Sequence, residues 1–401
     1  MINRHTLSRR STVLAAAAGA TTAGLIRPTR LLAQDATPAA SPTLPDITRT
    51  PLWQTALNNR LVFGTSFATW QGDPDYVQLI DHEAAILFTE DDFLWYKLKP
   101  APDAELDFTP ADEFFALAEK QQQLILGAHL VWDEGFGEGW TEDDLWGLDE
   151  ATAHSLLFDT LEAVVTRYRG RVAGWIVVNE VIDAHEADGI RRDYPWYETL
   201  GPGFIAESFH AAHEADPDAL LILNEFGFET DDEFDAAADK RAKALILIDQ
   251  LLDGGAPVHA FGIQAHLEAE DFANKFDADA YSQFLSDVAD RGLDILITEL
   301  DVLDDGLPAD NAARDTAIGE IYQQYLDVAL AEPAVGSLIT FGLTDRFTWL
   351  QEDYPREDEA PRRPLPFDED LQPKPAYDAL QSALENAPSR SLLWRTPRAD
   401  R

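Results

Sequence analysis

Two glutamates stand at the C-terminal ends of short apolar runs, Trp175-Ile176-Val177-Val178-Asn179-Glu180 and Ile295-Leu296-Ile297-Thr298-Glu299. Runs of this length, flanked by turn or helix signals, predict parallel strands buried on both faces. An ionisable side chain is costly there unless it projects from the strand end into a site. Two carboxylates presented in this way suit glycoside hydrolysis, in which one carboxyl group protonates the leaving oxygen while the other attacks the anomeric carbon or activates a water. Taken singly, each glutamate could equally be a strand-end carboxylate in a salt bridge.

The elements that must position them recur along the chain. Strand-like runs span 61–66, 84–88, 124–132, 172–179, 219–224, 258–266, 294–298 and 335–342. Between them, segments such as 111–122, 151–169, 234–252 and 317–330 carry apolar residues at spacings of three and four, the period of an amphipathic helix. Eight strands alternating with helices predict an α/β fold, a (β/α)8 TIM barrel, and the 401 residues with 45% hydrophobic content suffice for one such catalytic domain. In that fold active sites lie at the C-terminal ends of the strands, where Glu180 would follow the fourth strand and Glu299 the seventh.

The remaining composition narrows the chemistry. With no cysteine, disulfides, thiolate catalysis and Cys-ligated zinc are excluded. Ser8-Arg9-Arg10-Ser11 before a mild apolar stretch reads as a twin-arginine-type signal over 1–34, too short and weak to span a bilayer. A Pro/Ala/Thr-rich linker over 35–47 follows, then the barrel over 48–385 and a C-terminal tail over 386–401. A secreted or surface-retained protein without a membrane span is expected, and a monomer. With 73 Asp and Glu against 30 Lys and Arg, nucleic acid is excluded as a partner and a polyanionic substrate would be repelled.

Six motifs, in order, carry a resemblance. Arg167-Tyr168-Arg169-Gly170 followed by Trp175 to Glu180 is similar to R-Y-x-G…W-D-V-V-N-E, with Ile176 in place of Asp. Further matches are Leu223-Asn224-Glu225-Phe226, Gly262-Ile263-Gln264-Ala265-His266, Ile297-Thr298-Glu299-Leu300-Asp301, and Gly342-Leu343-Thr344-Asp345-Arg346-Phe347-Thr348-Trp349. A closing motif runs through Arg363 to Asp368 and Gln372 to Tyr377. From Leu61 to Leu380 the chain thus resembles glycoside hydrolase family 10, the barrel-fold endo-1,4-β-xylanases.

The resemblance implies roles. Glu180 would be the general acid and base and Glu299 the nucleophile of a retaining double displacement, with carboxyl groups about 5 to 5.5 Å apart. Asn179 would hydrogen-bond the 2-hydroxyl of the sugar at the cleavage point, and His266 would keep Glu299 ionised and oriented. Gln264 joins the candidate binding set, and Trp132 and Trp349 would stack on apolar sugar faces. No cofactor and no metal are implied; the partner would be xylan or a related plant-cell-wall β-glycan.

Several glycone contacts depart from the family. Against T-P-E-N-x-M-K-W stand Phe88-Thr89-Glu90-Asp91-Asp92-Phe93-Leu94-Trp95. Glu90 is kept as a candidate sugar ligand, Asp91 replaces a sugar-binding Asn, and Leu94 replaces a sugar-contacting Lys. Against G-H-T-L-V-W-H stand Gly127-Ala128-His129-Leu130-Val131-Trp132-Asp133, so that His129 is displaced by one position, which on a strand would turn it to the opposite face unless a bulge compensates. Phe341 replaces a Trp of the eighth strand. An endo-xylanase, a retaining glycosidase of another β-glycan and a non-catalytic carbohydrate-binding barrel stay open. Retention of both glutamates, Asn179 and His266 argues against the last. A metal-dependent barrel hydrolase would need His in the first strand, which has none.

Overall fold

The computed structural model describes residues 49–231 and 235–400. The expected signal and linker lie outside the described residues. Nine parallel strands run in chain order: β1 (Val62–Phe67), β2 (Ile86–Thr89), β3 (Leu124–Gly127), β4 (Gly174–Asn179), β5 (Leu220–Glu225), β6 (Ala260–Ile263), β7 (His266–Glu268), β8 (Asp294–Leu303) and β9 (Val335–Thr340). All but β7 form a closed ring: β1 pairs with both β2 and β9, and β6 pairs directly with β8. The short β7 pairs with the outer end of β8. All eight expected strands are present, and the ring is a (β/α)8 barrel.

Strand composition explains the double-sided burial. Side chains alternate between faces along a strand. Val62, Ile86, Phe88, Leu126, Ile176, Ile222, Leu296 and Ile339 fill the barrel interior. Their neighbours Phe63, Leu87, Ile125, Trp175, Leu221, Leu223, Phe261 and Ile295 pack outward against the helices. Aspartates begin several of those helices: Asp73, Asp149, Asp277 and Asp310 each accept from backbone N–H groups in the first turn of the helix they precede.

Irregularities in four strands break the alternation where it matters. β3 stops at Gly127, short of the expected 132, so His129 and Trp132 project from a loop rather than a strand. β4 has a register shift between Ile176 and Val178, and β8 has two, between Ile295 and Leu296 and between Ile297 and Leu300. β6 stops at Ile263, and Ala265 follows with a left-handed φ of 60°.

The segment expected as a tail packs under the barrel. Arg390 donates to the backbone carbonyls of Leu330 and Val335, and Leu393 and Trp394 pack against the interior cluster. Arg398 reaches the carbonyl of Gln121. Among the described residues no helix is long and apolar enough to cross a membrane.

Candidate active site

The ends of β4, β5, β6 and β8 converge at the C-terminal mouth of the barrel. Glu180 follows β4 with a φ of 56°, a conformation unfavourable for a side-chain-bearing residue and characteristic of strained functional positions. Consecutive strand residues should face opposite ways, but this left-handed turn brings the Glu180 side chain round beside that of Asn179. Ala265, also left-handed at a φ of 60°, separates the end of β6 from the start of β7 at His266.

A single chain of hydrogen bonds joins the two glutamates. Glu180 Oε1 accepts from Gln264 Nε2 at 2.8 Å, and its Oε2 accepts from Trp132 Nε1 at 3.2 Å. Gln264 Nε2 also lies 3.4 Å from Asn179 Oδ1. Asn224 Nδ2 donates to Asn179 Oδ1 at 2.9 Å and to Glu299 Oε1 at 2.8 Å. Thr298 Oγ1 donates to Asn224 Oδ1 at 2.8 Å and so fixes which end of that amide faces Glu299. Gly262 is required behind it, because a Cβ there would stand 2.2 Å from Asn224 Oδ1.

Glu299 is 4% exposed and lies between two imidazoles. His266 Nε2 is 3.3 Å from its Oε2, and His129 Nε2 is 3.9 Å from its Oε1. His266 in turn meets Asp301 Oδ1 through Nδ1 at 2.8 Å, and Trp349 Nε1 donates to Asp301 Oδ2 at 2.7 Å. Burial alone would push the Glu299 carboxyl up; the two histidines outweigh it and hold the group well below the usual carboxylate range. At 3.9 Å the influence of His129 is electrostatic. Burial would likewise discharge His266, but Asp301 and Glu299 on its two sides push it up to about 9.

Other expected residues are placed as follows. Glu90, at the end of β2, accepts from Ser66 Oγ at 2.7 Å and from Gln71 Nε2 at 3.0 Å. Burial, then the charge of Asp91, pushes it up to about 8. Both carboxylate oxygens of Asp91 are engaged, one by Tyr96 Oη and the other by Lys97 Nζ at 2.5 Å. Lys97 also meets Asp92 at 2.8 Å. Leu94 packs toward the loop at Gly135, where a Cβ would lie 3.1 Å from its Cδ2. His129 faces Glu299 despite its shifted position, because the strand has already ended; its ring centroid lies 5.0 Å from that of Trp132. Trp140 and Trp196, which carried no motif, pack against Trp95 as core.

Sequence reasoning assigned no role to Asn224, Asp301, Glu225 or Asp133. Glu225 is fully buried, accepts from the N–H of Ile182 at 2.8 Å and pairs with Lys240 at 3.3 Å. Asp133, where the family motif has His, pairs with Arg191, and burial pushes it up to about 7. Arg191 also donates to the backbone carbonyl of Glu180 at 3.2 Å. The quoted motifs contained Asn224, Asp301 and Glu225, and their polarity at strand ends was the available signal.

Four buried polar atoms in this site lack a hydrogen-bond partner within the protein: Asn179 Nδ2, Gln264 Oε1 and both ring nitrogens of His129. A buried unsatisfied group costs about 1–3 kcal/mol, so their clustering around two carboxylates leaves donors and acceptors available to a polar ligand. A barrel with paired carboxylates and such vacancies at its C-terminal mouth defines a glycosidase.

The comparisons with known proteins give the family. Residues 52–383 match the model of glycosyl hydrolase family 10, and the chain belongs to that family. It is similar to endo-1,4-beta-xylanase B of Thermotoga neapolitana, 29% identical over 80% of this chain and 87% of that one. It is 32% identical to endo-1,4-beta-xylanase B of Paenibacillus barcinonensis, over 68% of this chain and 81% of that one. Among solved structures, xylanase 10B from Thermotoga petrophila RKU-1 in complex with xylobiose superposes with a TM-score of 0.73 at 28% identity, covering 84% of this chain and 98% of that one.

Proposed function

We propose that this glycosidase is a secreted endo-1,4-β-xylanase that cleaves internal β-1,4-xylosidic bonds by a retaining double displacement. The observation that carries the reading is the hydrogen-bonded path Glu180–Gln264–Asn179–Asn224–Glu299, which holds one carboxylate between two imidazoles and the other against amide and indole donors. Glu299, kept ionised by His266 and His129, attacks the anomeric carbon. Glu180 protonates the departing glycosidic oxygen, and the same carboxylate then deprotonates the water that releases the sugar. Asn179, with its Oδ1 occupied by Asn224, turns its free Nδ2 to the 2-hydroxyl, where the contact strengthens as positive charge develops. Trp132 and Trp349 wall the cleavage site, and Gln264, His129, Glu90 and Asp91 complete the sugar contacts directly or through Lys97.

Xylan as substrate is supported by the names of the relatives and by the xylobiose in the Thermotoga petrophila structure. Export by the twin-arginine route is supported by Ser8-Arg9-Arg10-Ser11. The test is the release of reducing sugars from xylan, mixed-linkage glucan, mannan and cellulose, with the anomer formed first read by proton NMR. Release from xylan with a β-anomer product agrees with the proposal. Preference for another glycan would move the substrate, and an α-anomer would remove the double displacement.

A further inference from the structure

Among the described residues Trp70 is the most exposed large apolar side chain, with 59% of its surface open. It lies in the turn Thr69–Gln71 that follows β1, hence on the same mouth of the barrel as Glu180 and Glu299. An indole open to solvent on that face is available to stack on a ligand that enters the mouth.

The turn that carries Trp70 is pinned to the sugar-facing end of β2. Thr69 donates from its N–H and its Oγ1 to the fully buried Asp92, at 2.9 and 2.8 Å. Gln71, 1% exposed, donates to Glu90. Phe347, in the loop after β9, meets the Trp70 ring edge-on at 5.9 Å and is itself backed by Tyr76 at 4.9 Å. A ring held by both flanking residues loses little freedom when a ligand stacks on it, so a weak contact is not cancelled by ordering. The charges around the turn are Asp73, Asp91 and Asp92 against Lys97 and Arg346, and the two cations are already paired with these three aspartates.

We propose that Trp70 is the stacking platform of a distal glycone subsite that takes an uncharged β-linked pyranose unit beyond those held near Glu90. The proposal rests on the glycan-hydrolase reading of the site and adds its extent. The occupant follows from continuity: the Glu90–Gln71 contact joins the platform to the second-strand residues that the family motif assigns to the glycone. Indole matches the apolar C–H face of a pyranose, and with three aspartates against two already paired cations the turn offers no free cation to a unit bearing a uronate.

The experiment compares kcat/KM along a xylo-oligosaccharide ladder from triose to hexaose for wild type, Trp70→Ala and Trp70→Tyr. The hexaose-to-triose ratio is expected to fall about tenfold in Trp70→Ala, the loss of one sugar-stacking contact, and to return largely in Trp70→Tyr. An unchanged ratio overturns the platform, whether activity stays the same or drops equally at every length; an equal drop would show a structural role. If wild type cleaves no xylo-oligosaccharide, it is the proposed function that fails. Calorimetric binding of cellohexaose and mannohexaose then tests Trp70 alone, and equal affinities for wild type and Trp70→Ala overturn it.

Discussion

Asn224 donates to Glu299 Oε1 at 2.8 Å with the same amide nitrogen that holds Asn179, so one neutral side chain at the end of β5 sets the orientation of two groups from β4 and β8. Replacing it with Ala removes a charge-assisted hydrogen bond worth about 1.5–3 kcal/mol, and kcat/KM on an aryl β-xylobioside should fall about 10- to 100-fold. Asn224→Asp should lose more, because a second carboxylate beside Glu299 raises its pKa and carries the acidic limb of the rate profile upward. Equal loss in the two variants, with no movement of the acidic limb, would remove Asn224 from this role.

The two glutamates should separate by leaving group. In Glu299→Ala, turnover of aryl glycosides should vanish and return with azide, giving a product of inverted configuration. Glu180→Ala should keep its first step on substrates with good leaving groups, which need little protonation, and accumulate a glycosyl-enzyme detectable by mass spectrometry. Similar losses on activated and natural substrates, with no trapped intermediate, would reverse the assignment.

His266 links the acid limb to Asp301. Asp301 and Glu299 push the imidazole up to about 9, and its charge helps to depress Glu299. In Asp301→Asn the imidazole should lose its proton at lower pH, the carboxylate loses part of its stabilisation, and its pKa rises. The acidic limb of kcat/KM against pH is therefore expected to move upward, by about one unit. A limb that stays in place would mean that His266 does not transmit the charge.

Much of this was legible in the chain because the strands are buried on both faces and so appear as short apolar runs whose polar ends stand out. Glu180 and Glu299 were found that way, Asn179, His266 and Gln264 came from the family resemblance, and the structure brings all five together. What the sequence concealed are the departures from regular strand geometry. Alternation would put Asn179 and Glu180 on opposite faces; the φ of 56° at Glu180 brings them together. The displaced His129 should have turned away, yet β3 ends two residues before it. Lys97 bridging Asp91 and Asp92, and Arg191 holding Asp133, join residues through space with no periodic signal.

Glu90 gives a stability test whose sign is opposite to that of most carboxylates. Burial and the charge of Asp91 push it up to about 8, so the folded protein keeps a proton that the unfolded chain has released by neutral pH. Its contribution is complete below the ordinary glutamate range and is lost as pH rises through about 8. The thermal midpoint of wild type should therefore fall relative to Glu90→Gln between about pH 5 and 8, since the amide does not ionise. Parallel midpoints across that window would show that Glu90 titrates normally.

Gly262 carries the last prediction, because its role is visible only in three dimensions. A Cβ at this position would stand 2.2 Å from Asn224 Oδ1 and 3.2 Å from Ile222 Cγ2, so Gly262→Ala must displace the amide that holds Glu299. Overpacking of this kind destabilises by about 1–3 kcal/mol, which leaves a folded barrel to assay. The displaced amide should lower kcat about 10- to 100-fold while KM changes little, since the lost contact orients the reacting carboxylate and does not itself bind sugar. In Asn224→Ala the same methyl meets no amide, so adding Gly262→Ala to that background should cost little further activity. Fully additive losses in the double variant would show that Gly262 acts through some other neighbour.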